Sequence, residues 1–203
     1  MVKNRIRVPF DLFVDVCIEQ QEKGPVMALW VFGYGLLLWD PGFEPAETRK
    51  AVLRGYHRSF CMLSIHYRGT EEVPGLVLAL DQAEGAQCTG VAFRLAEAEE
   101  DTVLEALRKR ELISDAYYED RVLVIDEAGE TIDCVTYIIN RQNRQYCHHD
   151  LETQAQLIAR STGVRGPNRD YLYNTQNMLT SLNIRDDDMA WLVTRVREIT
   201  QKD

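Results

Sequence analysis

With 203 residues, of which 45% are hydrophobic and 27% charged, the chain suits one domain with a sizeable core and a terminal extension rather than two full domains. A formal net charge of -9 repels phosphodiester backbones, and no basic stripe interrupts it, so nucleic acid is not an expected partner. The longest apolar run, Val26 to Leu38, is broken by glycines and falls short of the roughly 20 residues a membrane-spanning helix needs, so no membrane association is expected.

In chain order, Pro9 to Glu22 comes first. Phe10, Phe13, Val14, Cys17 and Ile18 recur at helical spacing there, before Lys23-Gly24-Pro25 breaks the pattern. This predicts an N-terminal helical extension over residues 1–26, ahead of a domain over 27–203. Packing onto its own domain is the ordinary use of such a stripe, and a partner or dimer seam is the other. Acidic residues Asp11, Asp15 and Glu19 interrupt the apolar positions, so no export signal is expected.

Ala28 to Tyr34 is a nearly continuous apolar and aromatic run, the pattern of a buried first strand. Short strands follow at Arg58 to Ile65, Gly75 to Leu80 and Thr89 to Leu95, with Asp81-Gln82-Ala83-Glu84-Gly85 as a hairpin turn. Ala96 to Arg110 is rich in Ala, Leu and Glu and predicts a helix, with Glu111 at its C-terminal end. Arg121 to Ile125 and Thr131 to Ile139 predict a hairpin across the acidic linker Asp126 to Glu130. Three helices complete the chain at Leu151 to Ser161, Asp170 to Leu182 and Asp186 to Gln201. Strands and helices do not alternate regularly, so the expected class is mixed α+β.

The five cysteines (Cys17, Cys61, Cys88, Cys134, Cys147) are scattered and form no CxxC pair, which predicts neither a zinc knuckle nor a disulfide framework and points to the reducing cytoplasm. Cys147-His148-His149-Asp150 has the composition of a metal cluster, but adjacent residues seldom converge on one ion, and a polar loop is expected. No metal or cofactor is expected. His57 and His66 lack a third partner. Ser59, Ser64 and Cys61 lack the elbow or triad spacing of a hydrolase nucleophile.

The most informative stretch is Val31-Phe32-Gly33-Tyr34-Gly35-Leu36-Leu37-Leu38-Trp39. Two glycines around a tyrosine, directly after a buried strand, allow a sharp turn that brings backbone N–H groups close to a ligand. A tight strand-to-loop corner with ordinary packing fits the spacing equally well.

That stretch resembles the FGYGSLxW signature of ChaC-like gamma-glutamylcyclotransferases, enzymes that cleave glutathione to 5-oxoproline and cysteinylglycine. The resemblance continues in order through Leu53-Arg54-Gly55-Tyr56-His57-Arg58-Ser59-Phe60, Pro74 to Leu80, Gly90-Val91-Ala92-Phe93-Arg94, Arg110-Glu111-Leu112 and Gly166 to Leu172. It implies a cyclotransferase-like mixed sheet or small barrel with flanking helices. It also implies Glu111 as the acid/base, with Gly33, Tyr34, Gly35, Leu36, Leu37, Arg58, Tyr117 and Tyr171 around a gamma-glutamyl substrate. Without the resemblance, Glu111 reads as a solvated carboxylate at a helix end. The departure is Leu36, where the signature has serine. Two alternatives follow: a catalytically impaired ligand-binding relative, or an interaction module whose N-terminal helix covers the pocket or recruits a partner.

Overall fold

The computed structural model describes residues 28–201, so the helix expected at Pro9 to Glu22 and the boundary at Met27 lie outside the described residues. Five strands form a closed barrel: β1 (Trp30–Gly33), β2 (Glu47–Ser64), β3 (Gly75–Arg94), β4 (Tyr117–Asp126) and β5 (Thr131–Ile139), in the spatial order β1-β3-β2-β4-β5. β1 pairs antiparallel with β3 and parallel with β5, which closes the ring. The period-two alternation of a strand then separates two cores. Trp30, Phe32 and Tyr34 point into the barrel with Leu53, Leu80, Val124 and Ile138. Val31 points outward into a second core shared with the helices. Burial on both faces is why β1 reads as an unbroken apolar run.

The helices are α1 (Glu100–Glu111), α2 (Leu151–Arg160), α3 (Asn168–Ser181) and α4 (Asp187–Thr200), and the short strands β6 (Thr162–Gly163) and β7 (Gly166–Pro167) pair between α2 and α3. The architecture is the expected α+β barrel with flanking helices. α1 carries Glu100 and Asp101 in its first turn and Arg108, Lys109 and Arg110 in its last, a charge order that suits the helix dipole. α2 and α4 begin at aspartate caps: Asp150 accepts from the Thr153 N–H at 2.7 Å and Asp186 from the Met189 N–H at 3.0 Å. The first of these explains the Cys147 to Asp150 segment as a polar loop entering a helix, and no group able to hold a metal is found among the described residues.

One expectation is corrected. The short strands at Arg58 to Ile65, Gly75 to Leu80 and Thr89 to Leu95 are pieces of two long antiparallel strands, β2 and β3. Asp81 to Gly85 is no hairpin turn. β2 continues alongside on both sides of it: Arg54 pairs with Gln87 and Tyr56 with Gln82, so residues 83–86 bulge out opposite Gly55. The turn chemistry produces a bulge because the same neighbour resumes pairing beyond it. Gly55 itself takes φ 81°, the left-handed conformation that such an irregularity favours in glycine.

Candidate active site

Beyond β1 the chain turns at Gly35 into a single 3₁₀ turn, Leu36–Leu38. The Leu38 N–H reaches the Gly35 carbonyl at 3.0 Å, and the Trp39 and Asp40 N–H groups reach that of Leu36. The N–H groups of Leu36 and Leu37, first in the turn, meet no such acceptor among the described residues. Gly33 permits the turn to close. A Cβ there would lie 2.7 Å from the Phe93 ring and 2.9 Å from the Leu37 Cβ.

This turn forms one wall of a cavity of about 370 Å³. Tyr34, Gly35, Leu36 and Leu37 line it together with Glu111, Tyr117 and Tyr171. Two predicted residues do not. Gly33 packs behind the wall, and Arg58, expected at the substrate, is buried behind it. Arg58 donates from Nη1 to the Tyr34 carbonyl at 2.5 Å, from Nη2 to the Thr89 carbonyl at 3.1 Å and from Nε to Asp186 Oδ2 at 3.0 Å. A guanidinium with three built-in acceptors holds backbone and has little to offer a ligand.

Glu111 ends α1, the helix terminus least favourable to a carboxylate. Its side chain is 18% exposed, and Arg110 Nε donates to Oε1 at 3.0 Å. Burial raises its pKa above the ordinary 4.5, and the charges of Arg110 and Arg165 pull the other way. Arg110 also donates from Nη1 to the Asp40 carbonyl at 3.1 Å, tying the end of α1 to the segment after the turn. Its Nη2 is buried without an acceptor among the described residues. Gly42, at φ 79°, leaves room for this guanidinium: a Cβ there would stand 3.0 Å from Arg110 Nη1.

Three phenols complete the floor. Tyr34 donates to the Tyr137 carbonyl at 2.8 Å and Tyr117 to the Leu78 carbonyl at 2.9 Å. Tyr171 sits with its hydroxyl 3.6 Å from where a Gly35 Cβ would be. Burial pushes all three pKa values upward, so the phenols stay neutral donors. Tyr171 owes its position to Asn168 at the start of α3. The fully buried Asn168 amide accepts from the Leu76 N–H at 2.6 Å and donates to the Leu76 carbonyl at 2.7 Å, pinning α3 to β3.

Several lining residues escaped the sequence reading: Arg68, Tyr137, Arg144 and Arg165. Tyr137 was hidden in an apolar strand. Arg68 donates from Nη1 to the Arg165 carbonyl at 2.7 Å across 97 positions, a proximity no local spacing signals. Ser64, considered as a nucleophile, accepts from the Arg68 N–H at 3.0 Å, and His66 lines the same cavity.

Residues 29–199 match the family described as ChaC-like protein. The chain is 35% identical over 182 residues to the glutathione-specific gamma-glutamylcyclotransferase of Escherichia coli, covering 88% of this chain and 75% of that one. It is 32% identical to the corresponding protein of Schizosaccharomyces pombe, over 88% and 97% of the two chains. A crystal structure of a gamma-glutamylcyclotransferase specific to glutathione from yeast superposes with a TM-score of 0.76 at 21% identity, over 85% and 96%. This chain belongs to the ChaC-like protein family.

Proposed function

We propose that this chain is a gamma-glutamylcyclotransferase that cleaves glutathione to 5-oxoproline and cysteinylglycine, with Glu111 as acid and base. The observation that carries the reading is a largely buried carboxylate sharing one cavity with a turn whose leading N–H groups meet no acceptor among the described residues. The names of the relatives support the substrate.

The ionised Glu111 takes a proton from the substrate ammonium. The free amine attacks the gamma-carbonyl carbon, forming the lactam C–N bond and a tetrahedral oxyanion. The Leu36 and Leu37 N–H groups face that oxygen or the glutamyl carboxylate, and Arg110 Nη2 is a further donor. Glu111 then gives its proton to the departing nitrogen as the amide C–N bond breaks, and the regenerated carboxylate relays the second proton of the attacking nitrogen to the released amine, which leaves as an ammonium beside a neutral lactam. Burial favours this double duty, because a carboxyl group with a raised pKa is a stronger base and still a competent acid. The substrate carries both attacker and target, so holding its folded conformer supplies a proximity advantage on the order of 10⁵ M or more. Tyr34, Tyr117 and Tyr171 shape that conformer, and Arg58 and Gly33 act as positioning residues behind the wall.

Leu36 lines the cavity, and this favours attention to a second reading, an impaired ligand-binding relative. A backbone donor survives any side-chain change, so the serine hydroxyl is dispensable if only its N–H serves. Purified protein is incubated with glutathione, and 5-oxoproline and cysteinylglycine are quantified for the unaltered chain, Glu111→Gln and Leu36→Ser. Turnover by the unaltered chain that Glu111→Gln abolishes is expected. Turnover that appears only in Leu36→Ser would establish the impaired relative instead. We also place the protein in the cytoplasm, on its scattered cysteines, and expect a chain truncated before Met27 to turn over as well as the whole. No helix among the described residues is long and apolar enough to cross a membrane.

A further inference from the structure

The charged residues lining the cavity are Arg68, Arg110, Arg144, Arg165 and Glu111, four cations against one anion in a chain whose net charge is -9. Arg110 is paired with Glu111. Arg68, Arg144 and Arg165 form no ion pair among the described residues, a state they share with Arg54, Arg160, Arg169 and Arg197; what sets the three apart is that all of them line one cavity. Arg144 and Arg165 are exposed and Arg68 is half-buried, so the three present a positive rim at the cavity to which an anionic ligand is attracted.

Their geometry suits a carboxylate. Arg68 is anchored by Nη1 alone, to the Arg165 and Pro167 carbonyls at 2.7 and 3.3 Å, and lies over the Tyr171 ring at 5.7 Å. That leaves Nε and Nη2 without an acceptor among the described residues. Burial and the neighbouring Arg165 charge draw its pKa downward, and Asp170 offsets this only in part. Arg165 is stacked 4.6 Å over the Tyr67 ring, which orients a planar fork without using its donors.

We propose that Arg68, Arg144 and Arg165 form a carboxylate subsite that receives the C-terminal carboxylate of the leaving half of the substrate, the glycyl carboxylate of glutathione. The proposal rests on the cyclotransferase reading of this cavity. One end of the substrate, the gamma-glutamyl group, lies by Glu111 and the Leu36 turn. A tripeptide-sized ligand reaches beyond them, and its far end carries the one remaining negative charge. The three guanidiniums select for that charge, so their contribution to discrimination falls on KM, while the Arg165 charge, which also lowers the Glu111 pKa, adds an effect on kcat common to every substrate.

The test compares glutathione with its glycine amide, which keeps the shape and removes the charge. 5-Oxoproline release is followed for the unaltered protein, Arg165→Gln and the double variant Arg144→Gln/Arg165→Gln. Neither side chain makes a hydrogen bond or ion pair to the described residues, so both variants are expected to fold. Amidation should raise KM of the unaltered protein about tenfold or more, the scale of a lost charge-assisted hydrogen bond, with kcat nearly unchanged. In the double variant the acid and the amide should differ by less than about threefold. Equal use of acid and amide by the unaltered protein overturns the subsite while leaving the cyclotransferase reading intact. A variant that loses the same factor on both compounds also overturns it, since the arginines then serve the shared gamma-glutamyl half. Should neither compound yield 5-oxoproline, the cyclotransferase reading fails, and calorimetric binding decides the subsite: tighter binding of the acid keeps it, equal or absent binding removes it.

Discussion

The two sides of the wall formed by Tyr34 to Leu37 are built from similar residues and used differently. Behind it, Arg58 is 3% exposed in its side chain and every acceptor it needs comes from the protein: Asp186, the Tyr34 carbonyl and the Thr89 carbonyl. In front of it, Glu111 has one partner, Arg110 keeps a buried Nη2 without an acceptor, and Arg68, Arg144 and Arg165 have no counter-ion among the described residues. A saturated buried network holds a shape, because any change leaves a charge stranded. Groups in front of the wall, the exposed Arg144 and Arg165 among them, are open to water and to a ligand. The contrast predicts that changes behind the wall appear first in stability and changes in front of it first in catalysis.

The strongest challenge to that division is Glu111→Gln. It should lower kcat/KM for glutathione by about 10²–10⁴-fold, the usual worth of a positioned acid/base, while thermal unfolding moves little. A large drop in Tm would put Glu111 with the structural residues. Next comes Arg58→Met, which strands Asp186 and two carbonyls. About 3 kcal/mol of stability should be lost, the low end for breaking a buried pair, since Asp186 is 16% exposed and keeps the Met189 N–H. Denaturant titration reads this directly, and an unaltered midpoint would show the network to be decorative.

Gly33→Ala blurs the boundary, since its methyl would press on both Phe93 and Leu37. A cost of about 1–3 kcal/mol is expected, together with a fall in kcat as the Leu37 N–H is displaced. Stability lost without any change in kcat would show that the turn tolerates the shift. The pH dependence is the mildest probe. Glu111 must be ionised to accept a proton and its pKa is raised, so the acid limb of kcat/KM should lie above 4.5 and be absent from any residual activity of Glu111→Gln. Linkage has a definite sign here. The folded state binds the Glu111 proton more tightly than the unfolded chain, so this group removes stability as pH rises from the unfolded value through the raised one. Glu111→Gln should therefore gain stability relative to the unaltered protein across that window, and a gain on lowering the pH instead would contradict the burial.

Legibility differed between elements for physical reasons. The β4 and β5 hairpin and the three C-terminal helices were readable because their period-two and helical patterns are local. β2 and β3 were read as fragments because polar residues and turn formers occupy a bulge inside an otherwise continuous ladder. Tyr34, Gly35, Leu36, Leu37, Tyr117 and Tyr171 were anticipated at the cavity and line it, whereas Arg58 faces the other way. A strand pattern tells which residues share a face, not whether that face meets a ligand or another layer of protein.

The order of apolar runs, turns and caps determined by itself that this chain would form a buried first strand, a glycine-bounded turn and a carboxylate at the end of a helix. Those outcomes depend on neighbours within a few positions, where backbone preference and periodicity act. Only the closed barrel and the docking of α3 onto β3 decided that Glu111, the Leu36 turn, Tyr171 and the three arginines would meet around one volume. Desolvation and the pairing of charges are properties of that shared volume. They are set by residues scores of positions apart, which is why one arginine became scaffold and three others were left open to a ligand.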